Sequence, residues 1–125
     1  MKNTKNYKEL EIAIKQLRTV FPSVSEEIIE VYIARAIALN LSYKLAIAII
    51  YNTIDNYKYS TLNIAQLLDH KTLTEALTYR EYSELQYKTG ESTRDYVPVR
   101  IGAFNTIMFV KKDIAVKYEL EIIKR

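Results

Sequence analysis

Glycine occurs only twice in this chain of 125 residues, as Gly90 and Gly102. Glycine supplies the left-handed and strained backbone positions that phosphate-cradling loops, nucleophile elbows and tight strand-to-helix turns need. Residues 1–89 hold none, so that stretch has little material for such loops. The two glycines bracket a short alternating segment. The pattern predicts a glycine-free helical body over 1–89, followed by a small β-hairpin and a terminal segment over 90–125.

A chain of this length is expected to form one domain with a self-sufficient core. With 49% hydrophobic and 26% charged residues, the composition is that of a globular protein. There is no cysteine, which excludes disulfides, thiolate metal sites and cysteine nucleophiles. Such usage suits a reducing compartment, and a cytoplasmic location is the expectation. Met1 to Lys8 is polar and basic, with no apolar stretch after it of the kind a secretory signal carries. The longest apolar run, Leu45 to Tyr51, is far too short to span a bilayer. No membrane partner is therefore expected. The net charge of +3 is spread over both halves, so composition alone does not demand a nucleic-acid partner.

Asn3 or Thr4 can cap a first helix of Lys5 to Thr19, with Leu10, Ala13, Ile14, Leu17 and Phe21 on one face. It stops before Pro22, which pushes the residue preceding it out of helical geometry. Ser23-Val24-Ser25-Glu26 reads as a capping box with Ser23 as N-cap, opening a second helix that runs to about Leu39. Ser42 can cap a third from Tyr43 to about Ile54. It is apolar nearly all round and is therefore expected at the centre. Thr61 can cap a short fourth helix, Leu62 to Leu68. Asp69-His70-Lys71 reads as a solvated turn. Thr78-Tyr79-Arg80-Glu81 is a second capping box, starting a fifth helix from Tyr79 to about Lys88 with Gly90 as its left-handed C-cap. Val97, Val99 and Ile101 alternate with Pro98 and Arg100 as in a half-buried strand, placed at an edge because proline cannot donate to a ladder. Gly102 to Asn105 supplies the turn, and Thr106 to Val110 the partner strand. From Asp113 to Ile123 the pattern fits either a strand or a helix capped by Asp113, and helix is the reading adopted. The expected fold is α+β: a bundle of about five helices with a C-terminal two-stranded hairpin. The third helix would be wrapped by the first, second and fifth. The predicted core is Ile14, Leu17, Ile29, Ile33, Ile37, Leu45, Ile49, Ile50, Ile64 and Leu68.

No constellation in the chain carries recognisable catalytic or metal chemistry. Zinc sites lean on cysteine and histidine, and this chain has one histidine, His70. Glu26, Glu27 and Glu30 lie in the first turns of a helix, where they complement its dipole. There is no Walker loop and no serine elbow. No catalytic residue, cofactor or metal ligand is assigned, and the expectation is a protein that is not an enzyme. Tyrosine is the marked bias, with 11 against 3 phenylalanines and no tryptophan. Its apolar body and polar tip suit interfaces and base stacking. Tyr57, Lys58, Tyr59, Tyr79, Tyr82 and Tyr87 are therefore candidates for contact with a protein partner. The segment Ser60 to Leu85 also invites a helix-turn-helix reading, with the hairpin as a wing. Arg80, Arg94, Arg100, Lys111 and Lys112 are then the candidates for phosphate contact. Two features oppose it: the long gap between Leu68 and the second capping box, and the carboxylates Glu81 and Glu84 on the would-be recognition helix.

A Phe21-Pro22 break precedes two apolar helices, and Asn56-Tyr57-Lys58-Tyr59-Ser60-Thr61-Leu62-Asn63-Ile64-Ala65-Gln66-Leu67-Leu68-Asp69 follows them. This order resembles the helical domain of phage replicative-helicase loaders and related replication proteins of phages and mobile elements. The stretches Leu77 to Tyr82 and Phe109 to Asp113 are similar to relatives of that kind. Ser60-Thr61 stands where the family commonly has proline-threonine, and the patterned final segment stands where loaders typically carry a mobile tail. The resemblance implies a non-enzymatic accessory of DNA replication that binds a protein partner, a replicative helicase. A winged-helix-like DNA-binding protein and a small virion or connector component are the alternatives.

Overall fold

The computed structural model describes residues 4–58, 62–88 and 94–123. Helix α1 (Thr4–Val20) buries Leu10, Ala13 and Leu17 along one stripe and lies beside α3 (Tyr43–Asn56). Phe21 and Val24 close a turn over Pro22 and Ser23, with the Val24 amide donating to the Phe21 carbonyl at 3.1 Å. Proline suits the second position of such a turn, and this occupies Ser23. The N-cap of α2 (Glu26–Ala38) is therefore Ser25, not Ser23, and its hydroxyl accepts from the Ile28 amide at 3.3 Å. Ser42 caps α3 as expected, accepting from the Leu45 amide at 3.2 Å. Leu45, Ala46, Ile49 and Ile50 of α3 are buried.

Two short helices follow, α4 (Ile64–Leu67) and α5 (Lys71–Thr74). Asn63 caps α4, its Oδ1 accepting from the Ala65 amide at 3.0 Å. Thr61, the expected cap, lies outside the described residues. His70 is not a freely solvated turn residue. It leads into α5, its carbonyl accepts from the Thr74 amide and hydroxyl, and its ring is half-buried with Nδ1 lacking a hydrogen-bond partner among the described residues. Helix α6 (Tyr79–Lys88) opens on the predicted capping box. The Glu81 amide donates to Thr78 Oγ1 at 3.1 Å, and the Thr78 amide donates to Glu81 Oε1 at 3.0 Å. The C-cap assigned to Gly90 lies outside the described residues.

The sheet departs from expectation. It has three antiparallel strands in the order β2-β1-β3: β1 (Tyr96–Arg100), β2 (Ile107–Lys111) and β3 (Glu121–Ile122). Pro98 thus sits in the central strand. Its backbone faces β3, where its carbonyl accepts from the Ile123 amide at 2.9 Å. Proline cannot return the reciprocal bond, and β3 ends there. The tail is helical only in its first half, α7 (Lys112–Lys117); the expected helix does not continue, and β3 follows it. Lys111, not Asp113, is the N-cap residue of α7, and Asp113 lies in its first turn. On the far edge of β2, Leu77 and Phe109 exchange both backbone hydrogen bonds at 2.8 Å.

The fold is therefore α+β and mainly helical, as expected. The fifth predicted helix, α6, packs on β2 rather than on α3, because Leu77 pins its start to the sheet edge. One core runs through both halves, from Leu10, Leu17, Tyr32 and Leu45 to Val99, Ile101, Val110 and Leu120. Of the predicted core, Leu17, Leu45, Ile49 and Ile50 are buried. Ile14, Ile29, Ile33, Ile64 and Leu68 pack against its margin. Ile37 is 58% exposed, while Tyr32 and Ala36 take the inner face of α2. So many apolar residues ring α2 that its sequence does not single out one face.

Candidate binding surface

Along β2, Met108 and Val110 point into the core, and Ile107, Phe109 and Lys111 belong to the opposite face. The register sets Tyr96, Pro98 and Arg100 of β1 beside them. Helix α6 covers part of that outer face with its tyrosines. Tyr82 stacks flat on Phe109, with centroids 4.2 Å apart and planes 12° from parallel. Tyr96 meets Tyr82 edge-on at 6.1 Å, and Tyr79 lies against Phe109 at 6.2 Å. Tyr79 is still 71% exposed, and Ile107 continues the apolar surface along β2. Four rings thus form one cluster at the α6–β2 seam, with Tyr79 and Ile107 at its open margin.

The structure brings Tyr79 and Tyr82 together but sends Tyr57 elsewhere. Tyr57 closes the C-terminus of α3 and packs edge-on against Phe21, with centroids 5.7 Å apart. Lys58 is exposed beside it, and Tyr59 lies outside the described residues. Tyr87 is 87% exposed near the end of α6, and the ring contacts above do not include it. Sequence reasoning missed Tyr96, Phe109 and Ile107. Alternation puts each of them on the outer face of a strand, but nothing local says that α6 covers that face.

The candidate phosphate contacts divide. Lys111 and Lys112 lie at the base of the hairpin, where the Lys112 amide donates to the Asp95 carbonyl at 2.7 Å, and Arg94 directly precedes Asp95 in the chain. An open hollow of about 750 Å³ there is lined by Lys111, Lys112 and Lys117 together with Asp95 and Asp113. Arg100 lies at the other end of β1, opposite Ile107, so the length of the strand separates it from Lys111. Arg80 is on α6, 3.6 Å from Glu84. The turn at the hairpin tip, Ala103–Asn105, carries no cation. Between the helices proposed for a helix-turn-helix stand α5 and the Leu77 bridge, in place of a tight turn.

A polar hollow of about 140 Å³ lies between α3, α4 and α5. Its lining groups are largely engaged with one another. Asn56 Nδ2 donates to Asn52 Oδ1 at 2.9 Å, and Thr72 Oγ1 donates to Asp69 Oδ2 at 2.7 Å. Beside this hollow, burial lowers the pKa of His70, opposed by Asp69 and assisted by Lys71. Among the described residues no group of three His, Cys, Asp or Glu side chains gathers as a metal site would require. None of their helices is long and apolar enough to cross a membrane. No protein-family model, curated protein or solved structure matches the chain.

Proposed function

We propose that the protein is a non-enzymatic binding module that docks a protein partner on the outer face of its sheet, at the α6–β2 seam. The observation that carries this reading is the stacked cluster of Tyr79, Tyr82, Tyr96 and Phe109, left open at Tyr79 and Ile107. Tyrosine is among the residues that concentrate binding energy at protein interfaces once a partner buries them in a packed pocket. Tyr82 is held by two ring neighbours, so the cluster loses little freedom on docking. The resemblance to helicase loaders supplies the partner to try, the replicative helicase of the same phage or mobile element, and with it a role in DNA replication. Calorimetry with that helicase is expected to give a micromolar dissociation constant, weakened at least about tenfold by Tyr79→Ala. Absence of binding at about 100 µM, where a micromolar complex is nearly saturated, would remove the helicase as partner. Unchanged affinity in Tyr79→Ala would remove the seam as the docking surface. The DNA-binding alternative has a separate signature, an affinity that falls steeply with salt and drops in Arg94→Ala and Arg100→Ala.

A further inference from the structure

The polar hollow between α3, α4 and α5 spends its hydrogen-bond donors inside the fold and keeps acceptors spare. Asn56 Nδ2 donates twice to Asn52, to its carbonyl at 3.0 Å and to its Oδ1 at 2.9 Å. The Thr53 hydroxyl donates to the Ile49 carbonyl at 2.8 Å, and the Thr72 hydroxyl donates to Asp69 Oδ2 at 2.7 Å. An amide has two protons to give and a hydroxyl one, so these three side chains have none left. What remains is Asn56 Oδ1, the oxygen of Thr53 and Asp69 Oδ1, and none of them receives a hydrogen bond among the described residues. Thr53 is only 7% exposed, so its oxygen has little bulk water to turn to. Of the lining side chains with a printed role, Asn52 keeps a spare amide donor, and Gln66 can present either end of its amide.

A site short of donors selects a ligand rich in them. Guanidinium is the extreme case, with five N–H donors in one plane and no acceptor. The spare acceptors come from separate elements, Thr53 and Asn56 on α3, Gln66 on α4 and Asp69 in the turn before α5. A planar group that donates in several directions serves such a ring better than an ammonium, which has three donors and holds its water more tightly. Asp69 is the one ionised side chain of the lining and forms no ion pair among the described residues. Lys58 and Lys71 adjoin lining residues in the chain, but neither lines the hollow. Its 140 Å³ has room for several waters or for one guanidinium head, and Ile49 and Leu73 offer apolar lining to an alkyl stem.

We infer that the hollow is a receptor for a guanidinium group, delivered as the arginine side chain of a protein partner. Free arginine would bring a carboxylate as well, and no cation lines the hollow to hold it. Asp69 accepts the charge-assisted bonds and the side-chain oxygens of Asn56, Gln66 and Thr53 take the remaining donors. The site uses neither Tyr79 nor the α6–β2 seam and stands independently of the proposed partner surface.

Titration of the full chain with N-acetylarginine methylamide, followed by the side-chain amide signals of Asn52, Asn56 and Gln66 in nitrogen-15 NMR spectra, tests this. Salt at about 0.15 M mutes general charge attraction. The expected result is a saturable shift of those signals, half complete at roughly 1 mM, the affinity a ligand of this size can reach. The citrulline analogue, which has the same shape without the charge, and the lysine analogue are each expected to bind at least about fivefold more weakly, and free arginine more weakly than the blocked form. Asp69→Asn removes the charge and keeps an oxygen for Thr72, and is expected to weaken binding at least about tenfold. Gln66→Ala, on the exposed side of α4, is expected to weaken it about threefold. Both variants should keep the amide spectrum of the parent chain outside the hollow. No saturable shift by about 20 mM, equal binding of the citrulline or lysine analogue, or unchanged affinity in both variants overturns the site. Tighter binding of free arginine overturns the side-chain source.

Discussion

Glu75 ends α5 with a backbone φ of 52°, a left-handed conformation that a side chain with a Cβ takes only under strain. Asn40, Phe104 and Glu119 do the same elsewhere. Asn40 and Glu119 each close a full Schellman motif. The Leu41 amide reaches the Ala36 carbonyl at 3.0 Å, and the Leu120 amide reaches that of Ala115 at 2.9 Å. Scarcity of glycine therefore did not remove left-handed turns from this fold; it moved them onto other residues. Left-handed strain of about 1–2 kcal/mol is partly offset by the extra freedom glycine has in the unfolded chain, roughly 0.5–1 kcal/mol. Glu75→Gly is expected to stabilise the protein by roughly 0.5–1 kcal/mol in urea denaturation. Glu119→Gly is expected to change little, because it also loses the half-exposed ion pair with Lys44 at 3.2 Å, a contact worth roughly 0.5 kcal/mol. A loss of stability in Glu75→Gly would show that its backbone is not strained. Tyr32 poses a different residue-scale problem. It is 1% exposed, its hydroxyl meets no hydrogen-bond partner among the described residues, and burial drives its ionisation well above the ordinary tyrosine range. Leaving such a group unsatisfied costs about 1–3 kcal/mol, so Tyr32→Phe is expected to raise stability by roughly 1 kcal/mol. A clear loss in that variant would mean that the hydroxyl is satisfied by water.

The elements differ in how far the sequence announced them. The Thr78–Glu81 box was legible because the two residues bond each other's backbone, so the signal is complete within one short stretch of chain. At α2 the box pattern pointed to Ser23, and the turn over Pro22 moved the cap to Ser25. The left-handed ends of α2, α5 and α7 carry no glycine to mark them. The very short β3 cannot show a period, and its place beside β1 depends on pairing across the whole second half of the sheet region. The candidate surface was half legible. Tyr79 and Tyr82 share a helical face at a spacing of three, whereas their partners Tyr96 and Phe109 are chosen by the Leu77 bridge. At α6, Thr78→Ala is expected to cost about 1 kcal/mol. The hydrogen bonds from Thr78 also hold the Glu81 carboxyl below its ordinary 4.5. A carboxyl lowered in the fold supports stability above its ordinary pKa and loses that support as pH falls through the folded value. His70 acts in the same direction at higher pH. Burial keeps it neutral in the fold, so the unfolded chain binds the proton first as pH falls through 6.5. Stability is expected to decline from neutral pH downward in two stages, the histidine and then the glutamate. His70→Gln is expected to remove the first stage in denaturation curves taken between neutral pH and the carboxylate range, and an unchanged profile would dissociate that stage from His70.

At the scale of the whole molecule, the question is whether the helical half and the sheet half stand or fall together. Chain order alone would allow two units, since the strands of the sheet are built from residues after 95, and Leu77 adds a single backbone bridge to them from before. Besides the Leu77 bridge and the packing of α6 on β2, hydrogen bonds join them at the end of α2 and the start of α3. There the Leu39 carbonyl accepts from the Gly102 amide at 2.8 Å, and Asn40 Nδ2 donates to the Arg100 carbonyl at 2.9 Å and to Glu121 Oε2 at 2.8 Å. The Ser42 hydroxyl, which caps α3, also donates to the Tyr118 carbonyl. Two residues left-handed for the same reason, Asn40 and Glu119, thus sit on the two sides of this joint, and the segment after α7 threads Tyr118 and Leu120 into the common core. Every one of these bonds spans a long stretch of sequence, which is why no local pattern revealed it. A joint of this kind makes the tail a structural member of the helical half. Leu120 is buried. Leu120→Ala is therefore expected to cost about 2–4 kcal/mol, the range for emptying a buried leucine site. The loss should fall on both halves equally: far-ultraviolet dichroism of the helices and the near-ultraviolet tyrosine signal of the α6–β2 seam should shift to the same lower midpoint. Two separated transitions in the parent chain, or a Leu120→Ala variant that loses the tyrosine signal while its helices hold, would divide the chain into two units and end the one-domain reading.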